Sequence, residues 1–108
     1  MSQVVRYFHI RNPKFMEAQH KGGVTVRVTG DTDNVGQVDV QYVECSQKDN
    51  FCKKTGRSLA EKAPVKVVAL RYLPAELGRI AQRAQARKRL LAFNSDFTFA
   101  IKYFLPKE

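Results

Sequence analysis

Two runs of strict alternation, either side of a polar stretch, restrict the fold more than any other feature of this chain. Val24, Val26 and Val28 alternate with Thr25, Arg27 and Thr29. Beyond Gly30 to Gly36, Val38, Val40 and Tyr42 alternate with Asp39 and Gln41. A period of two places every second side chain on the same face of an extended strand. Two such runs joined by a turn rich in Asp, Asn and Gly predict an antiparallel hairpin with one apolar face. A lone hairpin is marginal in water, so that face needs other elements to cover and extend it.

The rest of the chain supplies them. Val4 to Arg11 mixes β-branched and aromatic residues and reads as a strand, stopped by the turn signal Asn12-Pro13. Residues 14 to 21 fit a short helical turn or a loop. Ser46 followed by Asp49 resembles a capping box and predicts a helix whose apolar face is Phe51, Thr55, Leu59 and Ala63. Gly56 weakens that helix by about 1 kcal/mol relative to alanine, or else marks a close approach. Pro64 ends it. Val65 to Tyr72 is almost continuously apolar, the pattern of a strand well inside a sheet. Pro74 and Glu76 mark the first turn of a second helix. Its narrow apolar face is Leu77, Ile80, Ala81, Ala84 and Leu91, and it should run to about Leu91. Phe97, Phe99, Ile101, Tyr103 and Leu105 alternate with Asp96, Thr98 and Lys102, predicting a closing strand. Together these give one domain over residues 1–108. Its expected class is α+β: a mixed, largely antiparallel sheet of about four to five strands with two helices packed on it.

Charge separates the two halves. Up to Asn50 there are six basic and six acidic residues, and from Phe51 onward thirteen basic and four acidic. The formal net charge of +9 therefore belongs to the second half. Such asymmetry points to a polyanionic partner or to an electrostatically one-sided surface. With 44% hydrophobic residues and no apolar run near bilayer length, the chain reads as a globular protein without a membrane partner. No secretory signal is read at the N-terminus, so the expected location is cytoplasmic.

Arg79, Arg83 and Arg87 recur at every fourth position of the second helix, and Lys88 and Arg89 extend the stripe. Guanidinium groups in such a row suit successive phosphates, which they bind through charge-assisted and often bidentate bonds. The same residues also suit a solvated helix face or an acidic protein partner. Lys48, Lys53, Lys54 and Arg57 gather where the first helix begins, a position at which positive charge opposes the helix dipole. Free amides there, with Lys53 and Lys54, form a second candidate phosphate contact. Tyr7, Phe8, Tyr42, Phe97, Phe99 and Tyr103 are candidates for stacking on bases, although strand alternation assigns most of them to a buried face.

Chemistry is otherwise sparse. Gly22-Gly23 is an isolated pair and forms no phosphate-binding loop. Neither His9 nor His20 has a nucleophile or carboxylate at motif spacing. Asp31 and Asp33 suit a turn better than a cation site. Cys45 and Cys52 are too widely spaced for a zinc pair and are expected as reduced thiols, at least one of them in the core. No cofactor, metal or catalytic residue is expected.

The segment Cys45-Ser46-Gln47-Lys48-Asp49-Asn50-Phe51-Cys52-Lys53-Lys54-Thr55-Gly56-Arg57, with Lys21-Gly22-Gly23-Val24-Thr25-Val26 before it, resembles small proteins of unassigned activity from tailed bacteriophages. The resemblance covers about a third of the chain and implies a protein made inside an infected bacterium. Charge and resemblance together lead to the expectation of a non-enzymatic nucleic-acid-binding accessory protein, contacting DNA or RNA through phosphates. The alternative is a protein-contact inhibitor or modulator of a host enzyme, and a small enzyme with a site formed only by the fold is a third. A hairpin edge or the apolar face of the second helix would serve a homodimer.

Overall fold

The hairpin forms as the alternation predicts and becomes the centre of a larger sheet. The computed structural model describes residues 3–13, 21–31, 34–50, 52–93 and 96–104. The turn expected near residues 14 to 20, together with His20, Asp33, Phe51 and Leu105, lies outside the described residues, as do the side chains of Lys48 and Asp49. The fold is α+β. Strands β1 (Gln3–Ile10), β2 (Lys21–Asp31), β3 (Asn34–Asn50) and β4 (Lys66–Ala69) lie side by side in sequence order, antiparallel throughout. Register places Phe8, Val26 and Tyr42 in one row and His9, Thr25 and Val43 in the next. Adjacent rows therefore face opposite sides of the sheet.

One face is apolar. Phe8, Ile10, Val24, Val26, Val28, Val38, Val40 and Val68 form a buried layer. Helix α2 (Leu73–Ala86) covers it with Leu73, Leu77, Ile80, Ala81 and Ala84, which recur at three- and four-residue intervals. On the other face lies helix α1 (Lys53–Ala60). Its Gly56 sits against Thr25, and the turn after it accepts bonds from Gln41 Nε2 at Glu61 O (3.1 Å) and Ala63 O (2.8 Å). The two helices thus sandwich the sheet.

Five expectations are corrected here. First, Ser46 does not cap α1. β3 runs on to Asn50, and its pairing jumps from Gly23–Cys45 to Lys21–Asn50. Gly22 and Gly23 make this irregularity possible, with φ of 71° and 132° that side-chain-bearing residues avoid. Second, α1 buries Ala60 and rests on Gly56, whereas Thr55 and Leu59 are exposed. Its smallest residues face the sheet because they allow the closest approach. Third, β4 is an edge strand of four residues. Val65 and Val67 are each 57% exposed, and the chain turns into a one-turn 3₁₀ helix at Leu70–Tyr72. Fourth, α2 stops at Ala86. Lys88 takes the left-handed conformation (φ 61°), and the amides of Arg89 and Leu90 return to Ala84 O. This turn buries Leu90 in place of the half-exposed Leu91, whose amide is held by Asn12 Oδ1 at 2.7 Å.

Fifth, the closing strand is absent. Thr98–Tyr103 form a 3₁₀ helix packed beside α2. Ala100 within it and Phe97 and Phe104 at its two ends are buried, while Phe99 and Tyr103 are 44% and 47% exposed. The Asp96 carboxylate accepts bonds from the Thr98 amide (3.2 Å) and hydroxyl (2.8 Å), a local contact that favours a turn over a strand. The proposed dimer surfaces also change. β2 lies between β1 and β3, β4 pairs with β3 along Gln37–Val40, and the apolar face of α2 is buried.

Candidate nucleic-acid interface

The arginine stripe is one wall of a groove. β3 and β4 carry Tyr42, Glu44 and Lys66 on the same sheet face that α2 covers, because these residues pair in register with Val26, Val24 and Val40. At this end of the sheet α2 presents Arg79, Arg83 and Arg87 toward them. The turn after Ala86 brings Arg89 back to the same place. The result is a groove of about 540 Å³ lined by these four arginines, Lys66, Tyr42, Glu44 and the exposed Pro64-Val65 segment.

No acidic residue falls between Arg79 and Arg89 in sequence, but the stripe has acidic partners in Glu76, three residues before it, and in Glu44, brought in by the fold. Glu76, in the first turn of α2, is buried and paired with Arg79 and with Lys66 at 3.3 Å. Burial pushes its carboxyl up, but the Arg79 and Lys66 bonds outweigh that and leave it below the usual carboxylate range. Arg79 is thereby committed to the fold. Arg83 is exposed and donates to the Tyr42 hydroxyl at 3.1 Å. Arg87 and Arg89 face the largely buried Glu44 carboxylate at 3.6 and 3.9 Å. These distances are long, and Glu44 Oε1 and Arg89 Nε make no hydrogen bond. Both guanidinium groups retain donors for another anion, since each arginine offers five. Sequence reading missed Glu44 and Lys66 and named Tyr42 only as a stacking candidate; all three lie on strands away from the stripe. Only the strand register, by which Glu44 pairs with Val24, would have revealed the first.

The stripe and the second basic cluster do not form one surface. Lys53, Lys54 and Arg57 are exposed on α1, across the sheet from α2. Lys88 is exposed beyond the end of α2 and does not line the groove. Lys53 and Arg57 instead act on His9, which is half-buried and contacts Thr25 Oγ1 at 3.2 Å. Burial, then the charges of Lys53, Arg57 and Arg11, lower its pKa from 6.5. The unfolded chain therefore binds the His9 proton more readily than the native state does. Stability should be complete above about pH 6.5 and decline as the pH falls below it. Wild-type denaturation midpoints between about pH 7.5 and 5 should fall more steeply than those of His9→Gln. Parallel curves would show that His9 does not carry this dependence.

Cys52 is exposed at the start of α1, Cys45 is half-buried, and neither is in a disulfide. The expectation that one would lie in the core is thus corrected. The Thr55 hydroxyl and amide lower the Cys52 thiol from its usual value. Among the described residues no three or more His, Cys, Asp or Glu gather as a metal site, and no helix is long and apolar enough to cross a membrane. No protein-family model, curated protein or solved structure matches the chain.

Proposed function

We propose that the protein binds nucleic acid without catalysing a reaction, and that the groove between α2 and β3 is where it holds phosphates. The observation that carries this reading is the concentration of four arginines and a lysine along one groove whose carboxylate counter-charges are largely buried. A phosphate backbone carries its charge outward and repeats it, so it can engage Arg83, Arg87 and Arg89 together. Each contact also releases condensed counterions. Glu44 limits the strength of this attraction by partly neutralising Arg87 and Arg89. The setting proposed is the cytoplasm of a bacterium, in keeping with the resemblance to phage proteins.

Glu44→Gln tests the groove by gain of function. It removes one negative charge and keeps the shape of the side chain. Affinity for any nucleic acid should rise by about 3- to 10-fold at low salt, and the salt dependence should steepen by up to about one unit of log–log slope. Fluorescence anisotropy with a labelled duplex measures both. Unchanged or weaker binding in a folded Glu44→Gln variant would place the phosphates elsewhere.

A further inference from the structure

A second cleft, of about 500 Å³, runs along β1, the first strand in the order of the described sheet, on the side away from β4. It shares no lining residue with the arginine groove, and Phe8 and Tyr42, which line the two, lie two strand spacings, roughly 10 Å, apart in one row, so the two sites are distinct. Reading residues 96 to 104 as a strand assigns the stacking candidates Phe97, Phe99 and Tyr103 to a buried face. In the 3₁₀ helix that forms instead, Phe99 and Tyr103 are nearly half exposed. They stand over buried Phe8, with ring centroids 6.0 and 5.7 Å from it. Phe97 lies 6.4 Å from Phe99 and extends the aromatic layer beneath.

The charges around these rings are mostly positive. The Arg6 guanidinium lies 5.3 Å from the centre of the Tyr103 ring. Arg11 and Lys53 line the cleft, and among the described residues Asp96 is the acidic one that lines it. Exposed rings over a firm aromatic base, bordered by cations, match the two parts of an unpaired nucleotide: a flat base that stacks and a phosphate that needs positive charge. An extended peptide added to the β1 edge would use backbone groups and would not call for these cations. A duplex, whose bases are already stacked, offers the rings nothing.

We propose that the cleft beside β1 is a stacking site for unpaired bases of a single-stranded nucleic acid, with Phe99 and Tyr103 as the stacking surfaces and Arg6, Arg11 and Lys53 as phosphate contacts. The proposal rests on the nucleic-acid reading above and adds a preference for single strands.

Anisotropy with labelled short oligo-dT and with a blunt duplex, both at low salt, tests it. The Phe99→Leu/Tyr103→Leu double variant keeps apolar bulk at half-exposed positions and loses the rings. It should bind oligo-dT about 10-fold or more weakly and the duplex nearly as well as wild type does. Phe99→Tyr/Tyr103→Phe keeps both rings and should retain oligo-dT affinity, which a loss of fold or charge would not explain. Thermal unfolding of both variants checks that they are folded. Oligo-dT affinity unchanged in the leucine variant, or an equal fall for both probes, would overturn the proposal. So would β1 amide shifts with an uncharged strand-forming peptide but none with oligo-dT. Wild-type protein that binds the duplex but not oligo-dT would overturn this site and leave the arginine groove standing. Binding of neither probe would overturn both.

Discussion

Gly56→Ala is expected to destabilise the protein by about 1–3 kcal/mol, whereas Gly78→Ala should stabilise it by about 0.5–1 kcal/mol. Both glycines lie inside helices, where alanine is ordinarily the better residue. At Gly56 a Cβ would stand 2.2 Å from Thr25 Oγ1 and 2.9 Å from Thr25 Cβ. Thr25 is 1% exposed and its hydroxyl contacts His9, so it has no free direction in which to move. Either α1 lifts from the sheet or the Thr25 contact is lost. At Gly78 a Cβ would meet nothing within 4 Å, so only the propensity gain remains. Urea midpoints of the two variants check the pair. A higher midpoint for Gly56→Ala would contradict the close seating of α1 on the sheet.

That seating explains which parts of the fold the sequence reveals. Period-two alternation located β2 and β3, because one face of each must be buried for the hairpin to be stable. Pro74 with Glu76 located the start of α2 for the same local reason: fixed φ and a negative charge suit a first turn. The failures came where tertiary context outweighed local pattern. Val65 to Tyr72 is apolar enough for an interior strand, yet only Lys66–Ala69 pair, and at an edge. Phe97 to Tyr103 alternates in polarity, but Phe97, Ala100 and Phe104 satisfy a helical spacing equally well. The Asp96–Thr98 contact is the sequence signal that distinguishes the two, and it starts a turn. Helix α1 was legible as a helix but not in its orientation, because its contact face is made of glycine and alanine. A hydrophobic pattern cannot mark such a face.

The candidate site was legible to a similar extent. Spacing alone placed Arg79, Arg83 and Arg87 on one side of a helix, and they do line one groove. The i,i+3 spacing of Glu76 and Arg79 was legible as a helical pair but was not read as one, whereas the burial of Glu76 and the place of Glu44 between Arg87 and Arg89 arrive only through the fold. Arg79 should therefore be left in place when the groove is tested. Arg83→Gln/Arg87→Gln is expected to weaken nucleic-acid binding by about 10- to 100-fold at low salt, since each charge-assisted contact contributes about 1 kcal/mol or more. Folding should change little, because both side chains are exposed and glutamine has similar helix propensity. The groove would be rejected by a folded double variant with wild-type affinity.

The salt dependence of wild-type binding is the most direct test of the central claim that phosphates occupy this groove. Affinity for a duplex and for oligo-dT would be measured by anisotropy between about 50 and 200 mM salt. The expected result is a linear log–log decline for wild type, shallower by about two units in Arg83→Gln/Arg87→Gln. Absence of binding at the lowest salt, or an identical slope in wild type and the double variant, would contradict it.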